Sequence, residues 1–289
     1  MADLRPRRSV LYMPGANERA LEKAKGIPAD ALILDLEDAV APDAKAEARN
    51  RVCAAAAGGA YGAKEIAIRI NGIGTQWHDE DLVAAAKAGP DAVLVPKVNS
   101  ADEVLRLVAA LEAAGAPEHT RLWAMLETPV AVLHAEEIVA ASPRLTVLVM
   151  GTNDLAKELH AARVPGREPL QFGLQRCLMA ARLADKVILD GVYNDIKDEL
   201  GFRDECVQAL RYGFDGKTLI HPSQVEPCNE VFAPDADEID HSRRVIAAFD
   251  EAQADGRGVV TVDGRMIENL HVEEARRILA IADAIAALD

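Results

Sequence analysis

The sequence predicts a (β/α)8 barrel, the TIM-barrel architecture, followed by a C-terminal helix–hairpin–helix extension. Eight short apolar runs alternate with Ala-rich helical segments, about thirty residues apart, as in a parallel sheet with crossover helices. The chain has 289 residues, enough for a typical barrel of roughly 250 residues plus an extension. A doubly wound sheet is the alternative, but it usually contains fewer strands.

The predicted strands are short, rich in Val, Ile and Leu, and bounded by Gly, Pro, Asn or Asp. They are Ser9–Met13, Ala31–Leu36, Glu65–Ile70, Ala92–Pro96, Arg121–Leu126, Leu145–Met150, Lys186–Leu189 and Lys217–Ile220.

The predicted helices lie between these strands, and two of them begin at recognisable caps, Ser100 and Pro42-Asp43. The helices are Asn17–Lys25, Asp43–Ala57, Asp79–Ala88, Ala101–Ala114, Val130–Ala141, Phe172–Ala184 and Asp204–Tyr212.

The domain boundary is predicted near Val231, with a barrel catalytic domain at residues 1–231 and an extension at residues 232–289. The extension contains a helix at Asp235–Ala254, a strand with an Asp263-Gly264 turn, and an amphipathic helix at Val272–Ala287. We expect it to serve as a lid or an oligomer contact, with a simple packing cap as the alternative.

The charge of the chain excludes some classes of partner. The formal charge is −15, from 32 basic and 47 acidic residues, which argues against binding to nucleic acid or to an anionic membrane surface. Residues 1–25 nevertheless carry a local excess of three positive charges, six basic against three acidic residues. This region predicts either an anion site or a solvated N-terminal arm.

The four cysteines lie far apart without a Cys-x-x-Cys pair, so the sequence suggests neither a zinc site nor a disulfide framework. No apolar signal-peptide core or membrane-spanning stretch is recognisable. These features predict a cytoplasmic enzyme. A P-loop, a His-Glu-x-x-His motif and a Gly-x-Ser-x-Gly motif do not occur, so the sequence does not support an NTPase, a zincin or a serine hydrolase.

Two carboxylates at predicted strand exits indicate a metal site. Glu127 follows the run Arg121–Leu126, and Asp154 follows Leu145–Met150 by a Gly-Thr-Asn turn. In a barrel the carboxyl ends of the strands face the active site. Oxygen ligands without nearby His or Cys suit Mg²⁺, so we expect Glu127 and Asp154 to bind this ion.

The second strand ends in Asp35-Leu-Glu-Asp38, three acids that repel one another unless a cation offsets them. Strand alternation places Asp35 and Glu37 on one face. We expect Glu37 and Asp38 to take part in catalysis. The alternative is a helix cap at Asp38 with ordinary salt bridges.

Two basic residues stand at further strand exits. Arg69, in the third strand, alternates with apolar neighbours and therefore points into the barrel or toward the helices. It forms either a buried structural salt bridge or a contact to a carboxylate or enolate oxygen of a substrate. Lys97 follows the fourth strand, and we interpret it as a counter-charge for the carboxylates rather than as a Schiff-base lysine.

The turn Gly151-Thr-Asn-Asp154 opens a helical segment, so its backbone N–H groups are suited to a substrate carboxylate. Gly151, Thr152 and Asn153 are therefore candidate substrate-binding residues. Capping of the helix by Asp154 is the alternative, of equal weight on this pattern alone.

Seven motifs, in the order of the strands, give the sequence a resemblance to a known family. They are Arg8-Ser-Val-Leu-Tyr-Met-Pro-Gly15, Asp35-Leu-Glu-Asp-Ala-Val40, Arg69-Ile-Asn71, Pro96-Lys97, Leu126-Glu-Thr-Pro129, Gly151-Thr-Asn-Asp154 and Gly216-Lys-Thr-Leu-Ile-His-Pro222. Together they resemble the citrate lyase β-subunit-like (HpcH/HpaI aldolase) family, which includes malyl-CoA and citramalyl-CoA lyases.

The resemblance implies a Mg²⁺-dependent barrel that acts on CoA thioesters. It assigns the metal to Glu127 and Asp154, and it gives Arg69 contact with the reacting oxygens. Backbone amides of residues 151–154 would receive the carboxylate of a 2-oxo acid. The remaining implied substrate-binding residues are Arg8, Tyr12, Lys25 and Lys97, of which Arg8 and Lys25 fit the handling of CoA in the basic N-terminal region.

In lyases of this family the proton is handled by an Asp in a C-terminal Met-Ile-Asp motif, which reaches a neighbouring subunit's site. The matching stretch here is Met266-Ile-Glu268, so Glu268 replaces that Asp. The added methylene changes the reach of the carboxylate, and small misplacements cost heavily in catalysis. The alternative is that Glu268 only caps the last helix.

The expected function is a C–C lyase or condensing enzyme for malyl-CoA or citramalyl-CoA, with glyoxylate or pyruvate as the 2-oxo acid. The alternatives are a malyl-CoA thioesterase at the same site and the β-subunit of a citrate lyase complex. A non-catalytic binding protein is a fourth possibility, disfavoured because both predicted metal ligands are present. A C-terminal segment that acts in a neighbouring subunit implies a closed homo-oligomer, a homotrimer or hexamer.

Overall fold

The computed structural model describes residues 5–288 and contains a closed barrel of eight parallel strands. Each strand pairs with the next in the sequence, and the eighth pairs with the first, so the predicted (β/α)8 barrel is confirmed. The strands are β1 (Ser9–Pro14), β2 (Ala31–Asp35), β3 (Glu65–Arg69), β4 (Ala92–Val95), β5 (Arg121–Leu126), β6 (Leu145–Met150), β7 (Val187–Asp190) and β8 (Gly216–Leu219).

The helices of the barrel follow the strands and cover them on the outside. They are α1 (Glu18–Ala24), α2 (Lys45–Ala57), α3 (His78–Ala88), α4 (Ala101–Ala113), α5 (Pro129–Leu133), α6 (Ala135–Ala140), α7 (Thr152–Glu158), α8 (Gln171–Leu183), α9 (Glu199–Tyr212) and α10 (Val225–Phe232). Short 3-10 turns occupy Pro42–Ala44, Glu168–Leu170 and Pro222–Gln224. The predicted cap Ser100 accepts a hydrogen bond from Glu103 N–H at 3.2 Å, whereas Pro42-Asp43 opens a 3-10 turn before α2.

Strand alternation separates two apolar layers. The inner layer fills the barrel with residues such as Ile33, Leu94 and Trp123, all fully buried. The outer layer packs the other strand face against the helices, for example through Leu34 and Leu148. Because both faces of every strand are covered, the strand sequences are continuous apolar runs and do not alternate between apolar and polar residues.

The seam that closes the barrel depends on a glycine. A Cβ atom on Gly216 of β8 would lie 1.8 Å from the carbonyl oxygen of Arg7, two residues before the neighbouring β1. No side chain fits this close approach of two backbones, so glycine is required at this position.

A group of buried charges joins β7 and β8 to α9. Lys217 Nζ lies 2.7 Å from both Asp190 Oδ2 and Glu205 Oε1, and Arg167 Nη1 lies 2.8 Å from Asp190 Oδ1. We call these four residues the balanced cluster, because they comprise two acids and two bases.

The described chain divides into two compact units, Arg7–Phe232 and a second unit that includes residues 233–288. The second unit contains α11 (Ala236–Ala254), an antiparallel hairpin of β9 (Val260–Val262) and β10 (Arg265–Ile267), and α12 (Asn269–Ala286). Its own small core includes Val245, Phe249 and Ile267. None of the helices in residues 5–288 combines the length and apolarity needed to cross a membrane.

Candidate active site

Arg69 lies at the carboxyl end of β3 and is fixed by a bidentate ion pair with Asp35. Its Nε and Nη2 atoms donate to the two carboxylate oxygens of Asp35 at 2.6 and 2.7 Å. The two residues are register partners on adjacent strands. The guanidinium carbon also lies 4.7 Å from the ring centroid of Tyr12. Arg69 therefore points into the barrel, and its orientation is set from two sides.

Glu37 approaches the remaining edge of this guanidinium. Its Oε2 atom lies 2.8 Å from Arg69 Nη1, and Asp38 Oδ2 lies 3.6 Å from the same nitrogen. Leu36 belongs to the outer apolar layer, so Asp35 and Glu37 share the inner face as alternation predicts. Asp38 cannot cap the next helix, because α2 begins only at Lys45.

Burial is the main reason that the pKa of Glu37 is raised to about 8. Arg69 lowers this pKa, but Asp38, Glu127 and Asp35 oppose that effect. Arg69 is already paired with Asp35, so it offsets only part of the cost of a second charge. Glu37 can therefore hold a proton near neutral pH.

Lys97 links Glu127 to Asp154. The backbone N–H of Lys97 donates to Glu127 Oε1 at 2.8 Å, and its Nζ lies 3.2 Å from Asp154 Oδ1. Lys97 has a positive φ of 52°, which turns its main chain toward one carboxylate and its side chain toward the other. Ordinary capping does not explain Asp154, because no side chain caps α7 at its N-cap residue, Gly151.

Gly151 allows Glu127 to take its place at the end of β5. A Cβ atom on Gly151 would lie 2.3 Å from both Cβ and Oε2 of Glu127. The glycine of the Gly-Thr-Asn-Asp turn is thus needed for contact with the neighbouring carboxylate. Glu127 is only 3% exposed.

The protonation of Glu127 and Lys97 reflects this arrangement. Burial, and next the charge of Asp154, raise the pKa of Glu127 to about 7. Partial burial lowers the pKa of Lys97, but its contact with Asp154 and the charge of Glu127 outweigh this effect, so the net pKa is raised. A lysine held protonated is a poor nucleophile, which disfavours Schiff-base chemistry.

The donor set fits a divalent cation of the magnesium type. Mg²⁺ usually keeps several waters and takes one or two protein carboxylates. Glu127 and Asp154 supply two such groups, and among residues 5–288 the only ion pair to either of them comes from the half-exposed side chain of Lys97, to Asp154. Within residues 5–288, no group of three or more His, Cys, Asp or Glu residues could hold a metal ion. The site thus matches a metal that completes its coordination with water and substrate.

Two cavities adjoin these residues. One of about 590 Å³ is lined by Glu37, Asp38 and Lys97. The other, of about 640 Å³, is lined by Thr152 and Asn153, the first residues of α7. Asn153 also exchanges hydrogen bonds with Asn194 at 3.1 and 2.7 Å. The predicted substrate-binding residues Thr152, Asn153 and Lys97 therefore border open space.

Arg8 and Lys25 lie at the opposite end of the barrel, away from Glu127 and Asp154, so the structure does not bring them together with the other predicted site residues, and their role in binding CoA stays a prediction. Arg8 directly precedes β1, and its guanidinium donates to both oxygens of Asp30 at 2.9 and 2.8 Å. Lys25 ends α1, pairs with Glu22, and its carbonyl accepts from Lys64 just before β3. Three of the six basic residues of the N-terminal region, Arg7, Arg8 and Lys25, thus form ion pairs within the chain.

Glu268 belongs to the C-terminal unit, where it is the N-cap residue of α12. Its N–H donates to His271 Nδ1 at 3.2 Å. This position matches the capping alternative, and its role in proton transfer stays a prediction.

The role of Asp35 as the bidentate partner of Arg69 was not predicted from the sequence. Nor was a role predicted for Asn71 and Lys45, which both donate to the carbonyl oxygen of Leu36. The signal for Asp35 was its place on the same strand face as Glu37.

A family model described as "HpcH/HpaI aldolase/citrate lyase" matches residues 8–222. The chain belongs to this family. The resemblance predicted from the seven motifs is confirmed.

Relatives within the HpcH/HpaI aldolase/citrate lyase family carry two kinds of name. The chain is 53% identical to a "(3S)-malyl-CoA thioesterase" of Cereibacter sphaeroides, covering 98% of this chain and 96% of that protein. It is 37% identical to "Citrate lyase subunit beta" of Escherichia coli, covering 96% and 94%. A solved structure of CitE from Mycobacterium tuberculosis, in complex with magnesium, acetoacetate and coenzyme A, is 30% identical with a TM-score of 0.79, covering 97% and 100%.

Proposed function

We propose that this chain is a Mg²⁺-dependent enzyme that hydrolyses a malyl-CoA-type thioester to malate and free CoA. The observation that carries the proposal is the pair Glu127 and Asp154, joined by Lys97, in a barrel that also holds the fixed guanidinium of Arg69. The similarity to a protein named malyl-CoA thioesterase supports hydrolysis over carbon–carbon cleavage, which the sequence alone had favoured.

Glu127 and Asp154 would hold the metal, which when bound polarises the hydroxyl and carboxylate oxygens of the malyl group. Arg69 would donate a hydrogen bond to the oxygen of the thioester carbonyl. Because its Nε and Nη2 are committed to Asp35, the Nη1 edge is the one that can turn to a substrate oxygen. Negative charge develops on that oxygen as water adds to the carbonyl carbon, so a preoriented guanidinium stabilises the transition state.

Proton transfer requires a base for the attacking water and an acid for the leaving CoA thiolate. We propose Glu268 as the base, on the strength of its place in the Met266-Ile-Glu268 motif. The raised pKa of Glu37 suits it to hold a proton inside the site. Asp38, at 3.6 Å from Arg69 Nη1, would contribute through charge.

Carbon–carbon cleavage is the second candidate, because the family includes citrate lyase β-subunits at 37% identity. In that reaction the malyl hydroxyl loses its proton, the bond between its carbon and the neighbouring CH₂ breaks, and glyoxylate forms. The thioester enolate then takes a proton to give acetyl-CoA. The same Arg69 would stabilise the enolate oxygen. For citramalyl-CoA the 2-oxo acid would be pyruvate.

A product assay separates these reactions. Purified protein is incubated with Mg²⁺ and malyl-CoA, and the products are resolved by chromatography. Malate with free CoA supports the thioesterase, whereas glyoxylate with acetyl-CoA supports the lyase. If the protein turns over none of malyl-CoA, citramalyl-CoA and citryl-CoA, the proposal that it is a CoA-thioester enzyme is wrong. Turnover of malyl-CoA by the chain alone would exclude dependence on the acyl-carrier partners of a citrate lyase complex.

Glu268→Gln tests the proposed base. We expect kcat to fall at least about 100-fold, since general base catalysis contributes on the order of 10²–10⁴-fold. The affinity for Mg²⁺, measured by calorimetry, should be unchanged. An unaltered kcat would leave Glu268 with a capping role only.

The predicted homotrimer or hexamer is tested on the same sample by sedimentation velocity.

A further inference from the structure

Lys45 is a buried cation that bonds to backbone rather than to an acid. Its Nζ donates to the carbonyl oxygens of Leu36 at 2.8 Å and Glu37 at 2.7 Å. The ammonium also lies 5.2 Å from the ring centroid of Trp77. Lys45 is 5% exposed, and among the residues that the structure describes no carboxylate lies within 4 Å of its Nζ.

A buried ammonium without a direct anionic partner is costly. Burial is the largest influence on Lys45 and lowers its pKa, while the charges of Asp35, Glu37, Asp81 and Asp38 act in the opposite direction. Lys45 therefore sits in the field of the site acids without contacting them. Its hydrogen bonds go to the chain segment that carries those acids.

Asn71 anchors the same segment from a second side. Its Nδ2 donates to the Leu36 carbonyl at 2.9 Å and to Asp81 Oδ2 at 2.6 Å. Asp81 in α3 is in turn held by Arg49 of α2 at 2.6 Å. Two helices thus fix one carbonyl oxygen directly after β2.

The segment has little freedom of its own to place Glu37. Asp35 accepts hydrogen bonds from the N–H groups of Glu37 at 2.9 Å and Ala39 at 3.1 Å. The same Asp35 binds Arg69. A shift of the Leu36–Glu37 peptide would therefore change both the Glu37 contact to Arg69 and the support of Arg69 itself.

We propose that Lys45 is a positioning residue for the reaction, holding the Leu36 and Glu37 carbonyls so that the carboxyl group of Glu37 meets Arg69 Nη1. This inference rests on the proposed function for its catalytic consequence. Its structural consequence, a fixed segment at residues 36–39, does not depend on the substrate.

Lys45→Met removes the donor while keeping an unbranched side chain that is one atom shorter. We expect kcat for malyl-CoA to fall about 10- to 100-fold, because small misplacements in a site cost rates of this order. KM and Mg²⁺ affinity should change less than about threefold, since the metal ligands lie on other strands. Lys64→Met is the matched control: Lys64 also donates to a backbone carbonyl, that of Lys25 at 3.0 Å, but at the other end of the barrel. It should leave kcat unchanged.

A double-mutant cycle distinguishes positioning from general destabilisation. If Lys45 acts through Glu37, Lys45→Met in a Glu37→Gln background should lower kcat by less than about threefold further. An equal fall in both backgrounds would overturn the proposal.

Amide hydrogen exchange gives a readout that needs no turnover. The N–H groups of Glu37 and Ala39 should exchange at least about tenfold faster in Lys45→Met than in the parent or in Lys64→Met. Unchanged exchange would refute the positioning role even if the enzyme is active. Faster exchange in a protein that turns over none of the thioesters would support the role of Lys45 and reject only the proposed function. If Lys45→Met does not fold, Lys45→Gln is used, with the same direction expected.

Discussion

Two groups of charges lie in the same barrel and differ in the balance of acids and bases. The acid-rich cluster at the candidate site consists of Asp35, Glu37, Asp38, Glu127, Asp154, Arg69 and Lys97. It contains five acids and two bases, whereas the balanced cluster contains two of each.

Protonation follows this difference. In the balanced cluster, burial raises the pKa of Asp190, but Lys217 and Arg167 outweigh it and the net pKa is lowered. In the acid-rich cluster, the pKa values of Glu37 and Glu127 are raised to about 8 and about 7. A cluster whose charges satisfy one another stabilises the fold, while an excess of buried acid favours an added cation or proton. We therefore interpret the balanced cluster as a support of the fold, while the acid-rich cluster stays the predicted functional site.

The largest expected effect is on activity. Glu127→Gln keeps the shape of the side chain but removes a metal-binding oxygen and its charge. We expect kcat to fall by about 10³-fold or more, because several kcal/mol of charge stabilisation depend on the metal. The free energy of unfolding without metal should not fall, since a buried charge is lost. A variant that retains both its turnover and its Mg²⁺ affinity would remove Glu127 from the proposed metal site.

The reverse pattern is expected for Asp190→Asn in the balanced cluster. The change leaves Lys217 and Arg167 with one anionic partner fewer in the interior. Breaking a buried ion pair in this way costs about 3–5 kcal/mol. Chemical denaturation measures the loss, with Glu127→Gln as the matched carboxylate-to-amide control. If Asp190→Asn were as stable as its parent, the structural role of the balanced cluster would be wrong.

The smallest effect concerns pH. A carboxyl with a raised pKa in the folded state stabilises the fold while protonated. This contribution is fully present below the ordinary value of 4.5 and is lost as the pH rises through about 7 for Glu127 and about 8 for Glu37. We therefore expect the metal-free protein to become less stable as the pH rises from 5 to 8.

Glu37→Gln and Glu127→Gln should each flatten this pH dependence, and added Mg²⁺ should flatten the part due to Glu127. Urea unfolding at a series of pH values provides the measurement. A parent and a double variant with parallel curves would contradict the raised pKa values as the origin of the effect.

Most of the barrel was predictable because its strands are apolar on both faces. Arg121–Leu126 and Leu145–Met150 were predicted to the residue. The helix predicted at Val130–Ala141 is instead divided at His134, whose φ of −98° and ψ of 13° depart from helical values. Helix α9 begins five residues before its predicted start, because Asp198 caps it by accepting from Gly201 N–H. Helix α10 was not predicted, being short and containing Pro227.

The sequence predicts a site residue when its position depends on the order of the strands. It does not predict which side chains pair with one another across the barrel. Glu127 and Asp154 follow strands, and the structure brings both to Lys97. Arg8 precedes β1, so its order in the chain places it at the amino end of the barrel, away from these two carboxylates. The pairing of Asp35 with Arg69 depends on sheet register, which the sequence does not reveal.

Lys97 has a further consequence for how the site could fill and empty. It contacts Glu127 with its main chain but Asp154 only with the Nζ of a side chain that is 47% exposed. The side chain can leave by rotating into solvent while the peptide stays in place. An incoming cation would therefore displace only the Lys97 side chain, and the barrel would not need to rearrange when the cation binds or leaves.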